Sequence, residues 1–215
     1  MNFLITQRVD VIKKEIRDSL DQNWFNLFNN LKVNLFPISN CIKNPSILFD
    51  NLKCRGVILS GGNDLGFIKD YKISNVSFLR DKLEIKILNL CVKKKIPVLG
   101  VCRGMQIINY FFNKDIKFNI SNFHVGKDHE IFLNNNRQTY LFRNRKKMFV
   151  NSFHRFVIPK NQVSNCLETL YVDGQDNAEV VIHRKLPIVG IMWHPERFKK
   201  IDYFTKNLFK TFFNI

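Results

Sequence analysis

Ile96-Pro-Val-Leu-Gly-Val-Cys-Arg-Gly-Met-Gln-Ile-Ile108 is the stretch on which the fold turns. The apolar residues up to Val101 read as a short buried strand, and Met105-Gln-Ile-Ile108 reads as the opening of a helix. Between them, Gly100-Val-Cys-Arg-Gly104 places a nucleophile-type residue inside a Gly-x-Cys-x-Gly turn. Such a strand-to-helix turn pushes the central side chain out above the sheet edge, and its glycines sit where any side chain would clash. A helix starting behind Cys102 aims its N-terminus at the sulfur. That field favours thiolate and leaves backbone N–H groups free for an anion. On these residues alone, a buried structural cysteine is the competing account, since free cysteine is often buried.

A second run bears on that choice. Pro187-Ile-Val-Gly-Ile-Met-Trp-His-Pro-Glu196 reads as an apolar strand ending at His194, with Glu196 two residues on. A cysteine nucleophile needs a base for its proton and a carboxylate to orient that base. Residues i and i+2 of an extended segment project to the same side, so His194 and Glu196 can meet around Pro195. Cys102, His194 and Glu196 are therefore the expected catalytic set.

The two motifs resemble the class I glutamine amidotransferases, and more closely the branch that includes the γ-glutamyl-γ-aminobutyrate hydrolases. The G-x-C-x-G-x-Q turn is Gly100–Gln106, and the late W-H-P-E is Trp193–Glu196. Gly56-Val-Ile-Leu-Ser-Gly-Gly-Asn-Asp-Leu-Gly66 is similar to the strand and glycine loop of that family's oxyanion hole. Val150-Asn-Ser-Phe-His-Arg-Phe156 is similar to the branch's N-S-x-H segment, which holds the glutamyl moiety. The resemblance implies oxyanion donors at the backbone N–H groups of Arg103 and Gly62, with Gly61 as the alternative. It further implies substrate contacts from Asn63, Asp64, Gln106, Asn151, Ser152, Phe153 and His154. The branch's second His and Gln are replaced here by Arg155 and Phe156. Arg103 and Arg155 are then candidates for an acidic or phosphorylated leaving group.

The fold expected is α/β: a three-layer sandwich of the flavodoxin-like, class I glutamine amidotransferase type. It has a central, mostly parallel sheet flanked by helices, with a small antiparallel portion. Strands are expected at Phe3–Thr6, Val33–Ile38, Val57–Leu59 and Pro97–Val101. Helices are expected over Asp18–Leu31, Ser46–Leu52 and residues 75–94, the last marked by Leu79, Leu83, Ile87 and Leu90. Beyond about residue 115, the runs His129–Leu133, Gln138–Phe142, Met148–Val150, Val180–His183 and Ile188–Met192 read as mostly antiparallel strands. Asn134-Asn-Asn136 reads as a turn between two of them. Ile201, Phe204, Leu208 and Phe212 mark a closing helix. One domain over residues 1–215 is expected from the length and the lack of a Gly-, Pro- or Ser-rich linker.

A formal net charge of +16, from 34 Lys and Arg against 18 Asp and Glu, raises the question of nucleic acid. No helix interleaves aromatics with arginines as a nucleic-acid platform does, so a nucleic-acid partner is not expected. Basic surface also draws in a phosphate-bearing small substrate. The longest apolar runs are too short to cross a bilayer, and the N-terminal residues show no basic leader, so neither membrane span nor signal peptide is expected. Five cysteines without paired or metal-type spacing fit a reducing cytoplasm. His124 and His129 stand near Asp128 and Glu130, but their spacing matches no zinc motif; loop or strand-edge histidines, and no metal, are expected. His183 reads as structural. No cofactor is expected, because no Gly-rich phosphate loop is present.

The expected partner is thus a small γ-glutamyl amide, with a homodimer left open. The compact chain and its N-S-F-H-R-F segment look more similar to hydrolases of a nucleotide-bearing γ-glutamyl phosphoramidate, γ-glutamyl-CDP-amidate, than to the aminobutyrate enzymes. The alternatives are γ-glutamyl-γ-aminobutyrate and a glutaminase subunit that passes ammonia to a partner synthase.

Overall fold

Phe3, Leu4 and Ile5 are consecutive apolar residues, and all are buried in β1 (Asn2–Thr6), as in a strand covered on both faces. The computed structural model describes residues 1–215 apart from 69–70, 72–74, 116, 135–139, 144, 200 and 202. After β1 come a hairpin, β2 (Arg8–Ile12) and β3 (Glu15–Ser19), then α1 (Asn23–Leu31), β4 (Asn34–Ile38), α2 (Ser46–Asn51) and β5 (Gly56–Leu59). Next are α3 (Phe78–Lys94), β6 (Val98–Val101), α4 (Arg103–Phe112), β7 (Asn119–Ile120), β8 (His129–Leu133), β9 (Lys147–Val150) and β10 (Phe156–Val157). The chain closes with β11 (Leu167–Val172), β12 (Ala178–His183), β13 (Ile188–Ile191) and α5 (Tyr203–Phe213).

Among the described residues, nine strands form one sheet in the order β4-β1-β5-β6-β13-β12-β11-β8-β9. From β4 to β13 neighbouring strands are parallel, and from β13 to β9 they are antiparallel. Leu4, Val57 and Leu59 pack on one face with Leu83 and Ile87 of α3 and Met105 and Ile108 of α4. Phe3, Ile5 and Ile58 pack on the other with Trp24 and Phe28 of α1 and Phe209 of α5. The alternation of one strand between two cores makes the three layers. The carboxyl ends of the adjacent strands β5, β6 and β13 lead into Gly61, Cys102 and His194, so one end of the sheet collects all three loops.

Several expectations are corrected. The helix expected from Asp18 begins at Asn23, because Asp18 lies within β3, whose hairpin the sequence reading missed. That hairpin turns through Lys13 at φ 58°, without the Asn-Gly signal that marks such turns. Leu79 is exposed on α3, whereas Arg80, Asp81 and Glu84 are buried, so the helix is rotated from the face its leucines suggested. Strand β11, fully embedded between β12 and β8, was also missed. Tyr140–Phe142 is a 3₁₀ turn rather than a strand, while residues 138–139 of that expected run, and 135–136 of the expected asparagine turn, lie outside the described residues. The two short strands β7 and β10 pair apart from the main sheet.

Candidate active site

Cys102 sits between β6 and α4 at φ 54°, ψ −108°, a left-handed conformation that L residues rarely hold. Such backbone costs about 1–3 kcal/mol and persists only where its surroundings fix it. Here the Cys102 N–H donates to the Ile191 carbonyl at 2.8 Å, tying the turn to β13. The flanking glycines meet a packing demand: a Cβ on Gly104 would overlap the Leu59 carbonyl, and one on Gly100 would overlap the Gly104 backbone. Strand and helix approach so closely that no side chain fits between them. The Arg103 and Gly104 N–H groups open α4 at the end where Cys102 stands, whereas those of Met105 and Gln106 donate to the Cys102 carbonyl at 2.9 and 3.2 Å.

His194 follows β13, and its Nδ1 lies 2.7 Å from Glu196 Oε1. Both side chains are buried. Asn151 holds the His194 backbone from two sides: its Nδ2 donates to the His194 carbonyl and its Oδ1 accepts from the His194 N–H, each at 2.8 Å. The imidazole packs on Gly61, where an added Cβ would stand 2.6 Å from His194 Cε1 and 3.5 Å from Cys102 Cβ. The His194 imidazole and the Cys102 side chain therefore share one glycine surface. Burial opposes the imidazolium, but the Glu196 carboxylate and the adjacent Cys102 outweigh it and raise the His194 pKa to about 9. The imidazolium form of His194 is the one this surrounding favours.

The loop after β5 is set from behind. Arg80, wholly buried on α3, donates to the carbonyls of Ser60 at 2.6 Å and Gly61 at 3.1 Å, and also to that of Gly62. The peptide plane makes each C=O antiparallel to the next N–H. Holding these carbonyls inward turns the N–H groups of Gly61 and Gly62 outward. Gly62 takes φ 83°, which suits glycine. Arg80 is paired with Glu84 at 2.9 Å, and Glu84 and Asp81 both pair with Arg103. Despite burial, Arg103 and Arg80 keep the Glu84 carboxyl below its usual range. Burial and Arg103 lower Arg80 to about 10, so it stays charged at neutral pH.

Two open clefts meet at His194 and Gly62. One, of about 320 Å³, runs toward Asp21 and Trp24; the other, of about 340 Å³, holds Cys102, Asp64 and Phe153. Arg8 and Arg197 line both, and Arg155 lines the second. Arg197 stacks over the Phe153 ring at 4.5 Å, and Arg155 stands 3.8 Å from Asp64.

With this geometry in place, similarity to known proteins is informative. The profile of the Peptidase C26 family matches residues 33–196, a span that includes Gly61, Cys102, His194 and Glu196. The chain belongs to the peptidase C26 family. It is accordingly an amide-bond hydrolase with a glutamine amidotransferase-like fold. It is 36% identical over 184 residues to the γ-glutamyl-CDP-amidate hydrolase of Campylobacter jejuni, covering 85% of this chain and 82% of that one. The structure of a GMP synthase subunit from Thermoplasma acidophilum superposes with a TM-score of 0.69 at 15% identity, covering 100% of this chain and 92% of that one. A Thermotoga maritima glutamine amidotransferase structure gives 0.65 at 15%, covering 99% and 82%. Both are likenesses of fold.

Within this C26 fold, the candidate substrate residues divide. Gly61, Gly62, Asp64 and Phe153 face the clefts, with the Phe153 ring edge-on to His194 at 5.8 Å. The Arg103 guanidinium is committed to Asp81 and Glu84, which leaves only its backbone N–H for substrate. Asn63 bonds the Val9 backbone through both amide atoms at 2.8 Å. Gln106 donates to the Phe156 carbonyl at 3.0 Å, and Asn151 clamps His194. Ser152, fully buried, donates to the His124 carbonyl at 2.6 Å. His154 turns its Nε2 toward Glu179. Asn63, Gln106 and His154 line the second cleft as well, and each of the five makes at least one side-chain hydrogen bond inside the protein, so they shape its wall. Sequence reasoning missed Arg8 and Arg197, which look like ordinary surface charge, and Arg80 with Glu84, whose i,i+4 spacing was the available signal. It also missed that His124 and His129 meet Glu179 rather than their neighbours Asp128 and Glu130. His183 is structural as read, its Nδ1 accepting from the Lys185 and Leu186 N–H groups.

Proposed function

We propose that the chain hydrolyses γ-glutamyl-CDP-amidate, with Cys102, His194 and Glu196 as its catalytic triad. The observation that carries the reading is the packing of the Glu196-paired His194 imidazole and the Cys102 side chain against the same glycine, Gly61. Cys102 Sγ attacks the γ-carbonyl carbon of the glutamyl unit. The N–H groups of Arg103 and Gly62 stabilise the oxyanion. Collapse breaks the C–N bond, and His194 delivers its proton to the leaving nitrogen. Water, deprotonated by His194, then cleaves the γ-glutamyl thioester. Glutamate and cytidine diphosphoramidate leave, and the thiol is restored.

The choice of leaving group rests on Arg8, Arg155 and Arg197 at the cleft rims, together with the likeness to the Campylobacter jejuni enzyme. Guanidinium groups suit a diphosphate, and none of these three is sealed in the interior as Arg80 is. Asp64, half-buried in the same cleft, is placed to receive the substrate α-ammonium.

The test is glutamate release by the purified chain from γ-glutamyl-CDP-amidate, γ-glutamyl-γ-aminobutyrate and glutamine. The expected kcat/KM favours the nucleotide substrate by about tenfold or more, and Arg197→Ala removes most of that preference without slowing glutamine hydrolysis. Preference for γ-glutamyl-γ-aminobutyrate would overturn the nucleotide assignment. Turnover surviving in Cys102→Ala would overturn the mechanism.

A further inference from the structure

Behind the wall formed by residues 150–156 lies a buried group that the hydrolytic chemistry does not use. His124, His129, His154 and Glu179 are all buried, none more than 5% exposed. Three ring nitrogens surround one carboxylate oxygen, Glu179 Oε1: His129 Nε2 at 3.6 Å, His154 Nε2 at 3.8 Å and His124 Nδ1 at 3.9 Å. The donor atoms of His124, His129 and Glu179 all lie within 4.8 Å of one another. These separations are too long for hydrogen bonds. Both Glu179 oxygens, His129 Nε2 and His154 Nε2 lack a hydrogen-bond partner among the described residues.

The tautomers sharpen the argument. His124 Nε2 stands 2.8 Å from Asp173 Oδ2, so that nitrogen carries the proton and Nδ1 presents a lone pair to Glu179. Ser152 Oγ lies 3.4 Å from Nδ1, but its single proton goes to the His124 carbonyl at 2.6 Å. His154 Nδ1 donates to the Phe156 carbonyl at 3.2 Å, which leaves the Nε2 lone pair facing the same carboxylate. The lone pairs of His124 Nδ1 and His154 Nε2 face a buried carboxylate, and the three repel one another unless a cation or a proton stands between them. Buried polar groups left in that state are strongly unfavourable.

We propose that His124 Nδ1, His129 Nε2 and Glu179, with His154 Nε2 as fourth donor, bind one divalent transition-metal ion, zinc by the character of the set. Imidazole with one carboxylate suits zinc, and metal–ligand bonds of about 2.0–2.1 Å in a tetrahedron place donors roughly 3.3 Å apart. The three distances to Glu179 Oε1 exceed that by about 0.3–0.6 Å, and the donors of His124, His129 and Glu179 spread over as much as 4.8 Å, so side-chain rotations must draw them in on binding. Asp173 on His124 and the Phe156 carbonyl on His154 are the outer partners that orient metal-bound imidazoles. With four protein donors the site is closed, so the ion is structural. It fastens the 122–129 and 150–156 segments to β12, and Asn151 in the second segment carries the His194 backbone.

The test uses the full chain with Cys102→Ala, because the thiol and His194 are themselves able to hold a transition ion. The protein is made without a histidine tag, loaded with zinc, dialysed against metal-free buffer and analysed by elemental mass spectrometry. Retained zinc close to equimolar with the chain is expected, falling at least tenfold in His129→Ala and in Glu179→Gln and unchanged in His183→Ala. Cobalt(II) loading should give the visible bands of tetrahedral cobalt, discharged by zinc. Background zinc in the folded Cys102→Ala protein would overturn the proposal, as would full zinc retention in His129→Ala and Glu179→Gln. Should those variants fail to fold, melting of the Cys102→Ala protein decides. A higher melting temperature with zinc than with chelator supports the site, and identical curves refute it.

Discussion

Gly61→Ala tests whether the shared glycine surface sets the geometry of the nucleophile and its base. Gly61 does not lie at positive φ, so alanine meets no backbone penalty there and the effect comes from the added methyl alone. That methyl would stand 2.6 Å from His194 Cε1 and 3.3 Å from Nε2. Carbon atoms in contact prefer about 3.5–4.0 Å, so the ring must retreat by roughly 1 Å. A displacement of that size costs about 10²-fold in rate when reacting groups must align. It also strains the 2.7 Å bond to Glu196. Overpacking of this kind destabilises by about 1–3 kcal/mol, so the protein should still fold. The assay pairs steady-state glutamate release with the rate of Cys102 alkylation by a glutamine-like electrophile, and circular dichroism melting controls for folding. We expect kcat/KM to fall about 100-fold, with slower alkylation. A variant within about threefold of wild type in both readings would refute the reasoning, since His194 would not then be held by Gly61.

Glu196→Gln should lower the pH at which His194 releases its proton, because the carboxylate that raises it to about 9 is gone; the pH profile of Cys102 alkylation reads this directly. The raised pKa also contributes stability that is full below about 6.5 and is lost as pH rises through about 9, and this loss should shrink in the variant, as chemical denaturation at several pH values will show. Glu84→Ala leaves the buried Arg80 and Arg103 without their common carboxylate and should destabilise by about 3–5 kcal/mol in denaturant titrations; a change under about 1 kcal/mol would contradict the network. Gly104→Ala, with its methyl overlapping the Leu59 carbonyl, should not accumulate as folded protein, and a soluble variant with wild-type melting would mean that α4 sits farther from β5 than described.

The parallel half of the sheet and the strand–Cys102–helix turn were legible because their signals are local. A buried strand, two glycines and a helix start lie within Ile96–Ile108, and His194 and Glu196 are two residues apart. Asn151, Ser152 and His154 stood out in the sequence, but their contacts could not be read from it. Only tertiary contacts decide whether Asn151 faces substrate or the His194 backbone. The rotated face of α3 was hidden for a related reason. Arg80, Asp81 and Glu84 read as solvated charges until Arg103, in the next helix, completes their pairing. Strand β11 and the β2–β3 hairpin lacked turn chemistry, and the histidine cluster joins residues as far apart as His124 and Glu179.

Arg80 has a consequence for how the enzyme spends binding energy. Because one interior guanidinium holds successive carbonyls of the loop after β5, the Gly61 and Gly62 N–H groups, of which Gly62 is the proposed oxyanion donor, are oriented when the chain folds, before any ligand arrives. No part of a substrate's affinity goes into flipping those peptides. The groups attached to the glutamyl nitrogen are then free to govern selectivity at the rim while the same polar cradle serves every acyl group that reaches Cys102.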